Sequence, residues 1–118
     1  MNIEDLRAIC IGFNGVTEDI KWENNLCFSV RKKIFMLVSL DTVPPAASFK
    51  VTVEEFEELV TRDGFKQAPH FAKNKWVHVD DVARMKRAEW EFYARQSYQL
   101  IASRLPVKTQ KHLGIYDE

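Results

Sequence analysis

Two short runs of cations, Arg31-Lys32-Lys33 and Lys73-Asn74-Lys75, are where residue type and spacing in this chain most directly offer chemistry. Each run lies between stretches that read as strands, so each is expected at the tip of a β-hairpin. A cationic tip on a rigid ribbon suits phosphate, because lysine brings a mobile point charge and arginine forks onto two oxygens at once. The plain account of the same residues is that charged turns keep hairpins soluble and discourage edge pairing. Two such tips in one small chain weigh more toward phosphate contact than either does alone.

Other candidates are weaker. Alternation along a strand puts Trp76 and His78 on one face and Val77 and Val79 on the other. If the valines face the core, Trp76 joins Lys50 and Tyr98 on an open face, where an indole stacks on a base or packs against a partner's side chain. The competing reading makes Trp76 a residue at the rim of the core. His70, His78 and His112 invite a metal, but no HExxH, paired Cys/His set or EF-hand spacing accompanies them, so no metal and no cofactor is expected. Glu54, Glu55, Glu57 and Glu58 fall in the opening turns of a helix, where negative charge complements the dipole. No GxSxG elbow, P-loop, GxGxxG or equipped nucleophile is present, and the chain reads as a non-enzyme.

These residues are carried by an ordinary globular composition. The 118 residues are 46% apolar and 29% charged, with four glycines and four prolines, which is enough chain for one domain over residues 1–118 with a core of its own. Seventeen basic residues balance seventeen acidic ones, yet residues 1–60 hold six against ten and residues 61–118 hold eleven against seven. That asymmetry permits a local basic face while giving no global pull toward nucleic acid or membrane. Cys10 and Cys27 lack CxxC spacing and read as buried free thiols. With no signal-like start and no apolar run of membrane-spanning length, the expected address is the cytoplasm and no membrane partner is expected.

The elements follow from periodicity and punctuation. Ile3, Leu6, Cys10 and Phe13 mark a first helix capped at Asn2, stopped by Asn14-Gly15. Strands are expected at Thr17–Trp22, Leu26–Val30, Lys33–Leu40 and Ala47–Val51. The stretch from Ile34 to Val38 is apolar on both faces, as in a central strand or one that meets a loop or partner. Thr52-Val53-Glu54-Glu55 is a capping box opening a second helix that Asp63-Gly64 ends. Strands at Lys66–Phe71 and Trp76–Val79 make a hairpin, and a long helix runs from Asp80 or Asp81, or from nearer Arg87, to Leu105. A last short helix over Thr109–Leu113 closes at Gly114. The order α-β-β-β-β-α-β-β-α, with short connections, predicts an α+β fold: two layers, one antiparallel sheet of five to six strands, and helices on one face.

Several local patterns, taken in order, resemble the YjbR/MmcQ family. Gly15-Val16-Thr17-Glu18-Asp19 with Trp22 is similar to its PGVTED…W opening, and Phe28-Ser29-Val30 with Lys33-Ile34-Phe35 to its F-x-V-x-G-K-x-F hairpin. Arg62-Asp63-Gly64, Ala68-Pro69-His70-Phe71-Ala72-Lys73 and Trp76-Val77 resemble its central R-x-G…APY-x-AK…WV block. Ser97-Tyr98-Gln99-Leu100 and Leu105-Pro106 resemble its SY-x-L…LP ending. The chain departs from the family at Phe13-Asn14, usually Leu-Pro, at Lys32, usually glycine, and at His70, usually tyrosine. The resemblance implies a two-layer fold like that of secretion chaperones or CyaY, and DNA binding through a double wing. Arg31, Lys32, Lys33, Lys73 and Lys75 would then contact phosphates with weak sequence selectivity, and Lys50 and Trp76 would line the adjacent face. A protein-interaction or chaperone-like module using an exposed sheet face or edge, or self-association, is the alternative. An enzyme that gathers a small anion with Lys50, Trp76 and Tyr98 comes third.

Overall fold

A computed structural model describes residues 1–69 and 75–116. The first helix, α1 (Ile3–Ile11), is closed at its start by a reciprocal pair: Asn2 accepts from the Asp5 amide and Asp5 accepts from the Asn2 amide. Four strands follow, β1 (Val16–Lys21), β2 (Asn25–Val30), β3 (Lys33–Ser39) and β4 (Ala46–Lys50), and then α2 (Val53–Leu59), capped by Thr52 and Glu55 in the same way. β5 (Phe65–Gln67) and β6 (Trp76–Val79) precede α3 (Arg87–Ala102) and α4 (Val107–Leu113). The strands form one antiparallel sheet in the order β1-β2-β3-β4-β6-β5. This is the α+β architecture expected.

Local geometry sets two boundaries: the end of the first strand differs from expectation, and the long helix takes the later of its expected starts. Trp22 leaves the first strand and enters the turn to β2 with φ of 49°. The long helix begins at Arg87 because Asp81 instead caps a 3₁₀ turn, Val82–Arg84, and Met85 is extended. Part of the expected Lys66–Phe71 strand lies outside the described residues.

One face of the sheet carries Phe28, Met36, Val38, Ala47, Phe49, Val77 and Val79, which pack with Leu6, Cys10, Trp90, Ala94, Tyr98 and Ala102 of the helices. Trp90 satisfies its indole N–H on the Val82 carbonyl at 2.7 Å while its ring meets Phe49 edge-on, so a large apolar side chain enters the core with no stranded donor. The register explains the doubly apolar β3. Phe28 pairs with Met36 but Ser29 pairs with Ile34, so Phe35 is an extra residue, and Phe35 and Met36 are both fully buried.

Ser97 plugs the sheet near that bulge. The β3–β4 pairing ends at Met36 and Phe49. Beyond it, the buried Ser97 hydroxyl accepts from the Lys50 amide at 2.9 Å and donates to the Phe35 carbonyl at 2.6 Å. The helix thereby supplies the rung that the bulge removes from the ladder.

Candidate nucleic-acid interface

Arg31 and Lys32 form the two-residue turn between Val30 and Lys33, with φ of 48° and 69°, the backbone of a type I′ hairpin. Neither residue is glycine or asparagine, so the turn holds two cationic side chains where the backbone would favour a bare or amide residue. Arg31, Lys32 and Lys33 are all exposed. None of them belongs to the six ion pairs among the described residues, which use Arg7, Arg62, Arg84 and Arg87.

The strand directions decide whether the two hairpins share an end. Lys50 pairs with Trp76, and Phe49 pairs with both Met36 and Val77, so β6 starts at the end of the sheet where β3 starts. The β2–β3 turn and Lys75 are thus at one end, two to three strand spacings, or about 10–14 Å, apart across the sheet. Lys75 is half-buried, and its ammonium lies over the Phe56 ring at 4.9 Å. Lys73 and His70 lie outside the described residues. The acidic first turn of α2, with Glu54 and Glu55, begins directly after the Val51 amide bonds the Lys75 carbonyl. Negative charge therefore borders the β6 side of this end.

On the other side the neighbours are cationic. Asn14 donates its side-chain amide to the Leu113 carbonyl at 3.0 Å, and Tyr98 donates its hydroxyl to the Asn14 carbonyl at 2.6 Å. Gly15, at φ of 74°, makes the close approach possible: a Cβ there would meet Leu113 at 2.5 Å. Since β1 then pairs Val16 with Val30, α4 is docked beside the strand end that carries the Arg31–Lys32 turn. Arg104, Lys108 and Lys111 come with it, Lys111 lying over Tyr116. Residues 24–40 and 99–116 contain no aspartate or glutamate. A hollow of about 530 Å³ between Asn14, Arg95, Gln110 and Tyr116 adjoins this end.

The expected grouping of Lys50, Trp76 and Tyr98 does not form an open face. Lys50 is 5% exposed and Trp76 only 2%. Burial first, and the charge of Arg104 second, hold the Lys50 pKa below its ordinary value. Tyr98 points into the helix layer, packed on Phe13 and Phe35. Alternation assigned Trp76 and Lys50 to the correct side of the strands but carried no information about what covers that side. Arg104 and Lys108 escaped the sequence reading because their link to the hairpin runs through Asn14 and Leu113, residues 99 positions apart. Among the described residues no cluster of three or more metal-ligating side chains occurs, and no helix is long and apolar enough to cross a membrane.

Comparison with known proteins agrees with the fold. A family model described as YjbR matches residues 11–100, most of the chain. The crystal structure of the Deinococcus radiodurans protein DR2400, described with a DUF419 domain, superposes with a TM-score of 0.88 at 24% identity, covering 99% of this chain and 91% of that one. A crystallised Pseudomonas syringae protein superposes with a TM-score of 0.71 at 19% identity, covering 86% of this chain and 99% of that one. No curated protein matches.

Proposed function

This chain belongs to the YjbR family, and we propose that it is a non-enzymatic DNA-binding protein that grips the phosphate backbone through the β2–β3 turn. The observation that carries the reading is the turn itself: Arg31, Lys32 and Lys33 stand exposed on a rigid ribbon, without carboxylate partners among the described residues. Arg104 and Lys108 extend the positive field toward α4. Lys75 contributes at the margin, since its ammonium already rests on Phe56. Lys50 and Trp76 serve the fold at this end and hold no base. Contacts of this kind neutralise phosphates and read no base edges, so binding is salt dependent and weakly selective for sequence.

Fluorescence anisotropy with a labelled duplex tests the reading. The variant Arg31→Glu/Lys32→Glu/Lys33→Glu is expected to lose at least tenfold in affinity at low salt, on the order of the loss for three phosphate contacts, while its far-UV circular dichroism stays unchanged. Undiminished affinity would remove the β2–β3 turn from the interface.

A second reading, a protein contact, draws on the opposite end of the molecule. There Ile20, Trp22, Leu40 and Val43 are 57%, 64%, 40% and 99% exposed. Light scattering distinguishes the two: concentration-dependent association abolished by Val43→Ser/Leu40→Ser favours the protein contact, and a monomer that binds DNA favours the first reading.

A further inference from the structure

The sheet face turned away from the helices carries a row of side chains whose character changes steadily across four strands. The register places Leu37, Ser48, His78 and Lys66 side by side, from β3 through β4 and β6 to β5. At strand spacing the row spans about 14 Å. Leu37 is half-buried and apolar, Ser48 is 4% exposed, His78 is half-buried and Lys66 is exposed. Apolar surface thus grades into hydroxyl, imidazole and ammonium along one line.

A groove of about 600 Å³ lies over the Leu37, Ser48 and His78 part of this row, lined also by Trp22 and Pro69, with Lys66 next to His78 at its margin. That volume is in the range of small-molecule sites. Its walls are flat: Trp22 rises from the β1–β2 turn and Pro69 from the end of β5. Trp22 sits at φ of 49°, a conformation unfavourable for a bulky side chain, and remains 64% exposed. The core does not use this indole.

The polar floor is preset. Ser48 Oγ lies 3.0 Å from His78 Nδ1. With the Ser48 hydroxyl as donor in this contact, the imidazole carries its own proton on Nε2. Burial, and then the charge of Lys66, lower the His78 pKa from the ordinary 6.5, which keeps the ring neutral at neutral pH. No described residue lining the groove is acidic, and the nearby Asp80 is bonded to Arg84. Among the described residues the site therefore offers donors and the Lys66 ammonium at one end and apolar walls at the other.

The geometry points to a binding site for a flat aromatic carboxylate, its ring held between Trp22 and Pro69 over Leu37 and its carboxylate turned to His78 Nε2–H and the Lys66 ammonium. Charge complementarity selects the anion over a neutral ring of the same shape. The exposed flat face of the Trp22 indole favours a plane over a branched aliphatic acid. This site is independent of the phosphate interface, which shares none of these residues, so failure of one leaves the other standing.

Isothermal calorimetry with 2-naphthoate and with its neutral counterpart 2-naphthamide tests the site on the full chain. The wild type is expected to bind naphthoate saturably and about fivefold more tightly than naphthamide, the scale of one exposed charge contact. Lys66→Gln, at an exposed position, should bring the two probes to equal affinity. Trp22→Ala should abolish binding of both, and Trp22→Phe should restore most of it. Absence of saturable naphthoate binding, equal affinity of the two probes for the wild type, or full binding by Trp22→Ala would each overturn the assignment. So would tighter binding of cyclohexanecarboxylate than of naphthoate.

Discussion

Single polar groups in this protein do structural work that their residue types only hint at. Ser97 was legible in the sequence only as part of the Ser97-Tyr98 pattern. Its role as a bridge between the Lys50 amide and the Phe35 carbonyl was not, because that role depends on the bulge at Phe35, far away in sequence. Ser97→Ala removes the bridge and leaves two buried backbone groups without that partner, so urea unfolding should show a loss of about 2–3 kcal/mol. Ser97→Thr tests geometry rather than chemistry, since a hydroxyl is retained but a methyl is added where Ser97 is 0% exposed. His78 makes a pH-dependent contribution of definite sign. Its pKa in the fold is below the ordinary 6.5. Above that ordinary value both folded and unfolded states hold it neutral and its contribution is complete. As the pH falls below it, the unfolded chain takes up the proton first, and stability declines until the folded-state pKa is passed. Unfolding midpoints followed from neutral to mildly acidic pH should therefore fall in the wild type and fall less in His78→Gln. Glu18, whose pKa is lowered by its hydrogen bond and ion pair with Arg7, acts in a separate, more acidic window.

At the scale of elements, the sequence disclosed most of the fold because local signals and tertiary demands agree. The capping boxes at Asn2–Asp5 and Thr52–Glu55, the alternation of Leu26, Phe28 and Val30, and the left-handed Gly114 after α4 all appear as read. Disagreement arose where a residue contradicts its own backbone. Lys32 stands where the resemblance implies glycine, and it nonetheless makes the expected turn, at φ of 69°. Trp22 and Glu23 do the same at the other end of β2, with φ of 49° and 70°. A left-handed backbone at such residues costs about 1 kcal/mol each relative to glycine. Both turns of β2 thus forgo stability while keeping exposed side chains, three cations at one end and an indole at the other. The trade is measurable. Arg31→Asn/Lys32→Gly should raise the unfolding free energy by about 1–2 kcal/mol through a better type I′ turn. The same variant should bind duplex DNA less tightly, because two of the three tip charges are gone. A variant that is more stable and binds equally well would show that the turn's charge has no part in binding.

The whole molecule is neutral only on average. Its net charge is zero, yet Arg31, Lys32 and Lys33 stand at one end of the sheet, where α4, which carries Lys108, docks and where Arg104 acts on Lys50, and exposed apolar residues such as Val43 and Trp22 gather at the other. This polarity was half-visible in the excess of cations after residue 60, but the hairpin cations come from the acidic half of the chain, and only the fold unites the two sets. A neutral protein with a positive pole should meet DNA end-on, and its salt dependence then counts the phosphates under that pole rather than the net charge. If those five cations each neutralise a phosphate, the slope of log affinity against log salt is about −4 to −5. Arg104→Gln/Lys108→Gln should reduce its magnitude by about 2, and Arg31→Gln/Lys32→Gln/Lys33→Gln by about 3. The two sets of substitutions sit on different elements, so their effects should add. Lys66→Gln, on the opposite sheet face, should leave the slope unchanged and serves as the control. A slope near zero in the wild type, or one that responds to Lys66 as strongly as to Lys32, would mean that the positive pole is not where DNA binds.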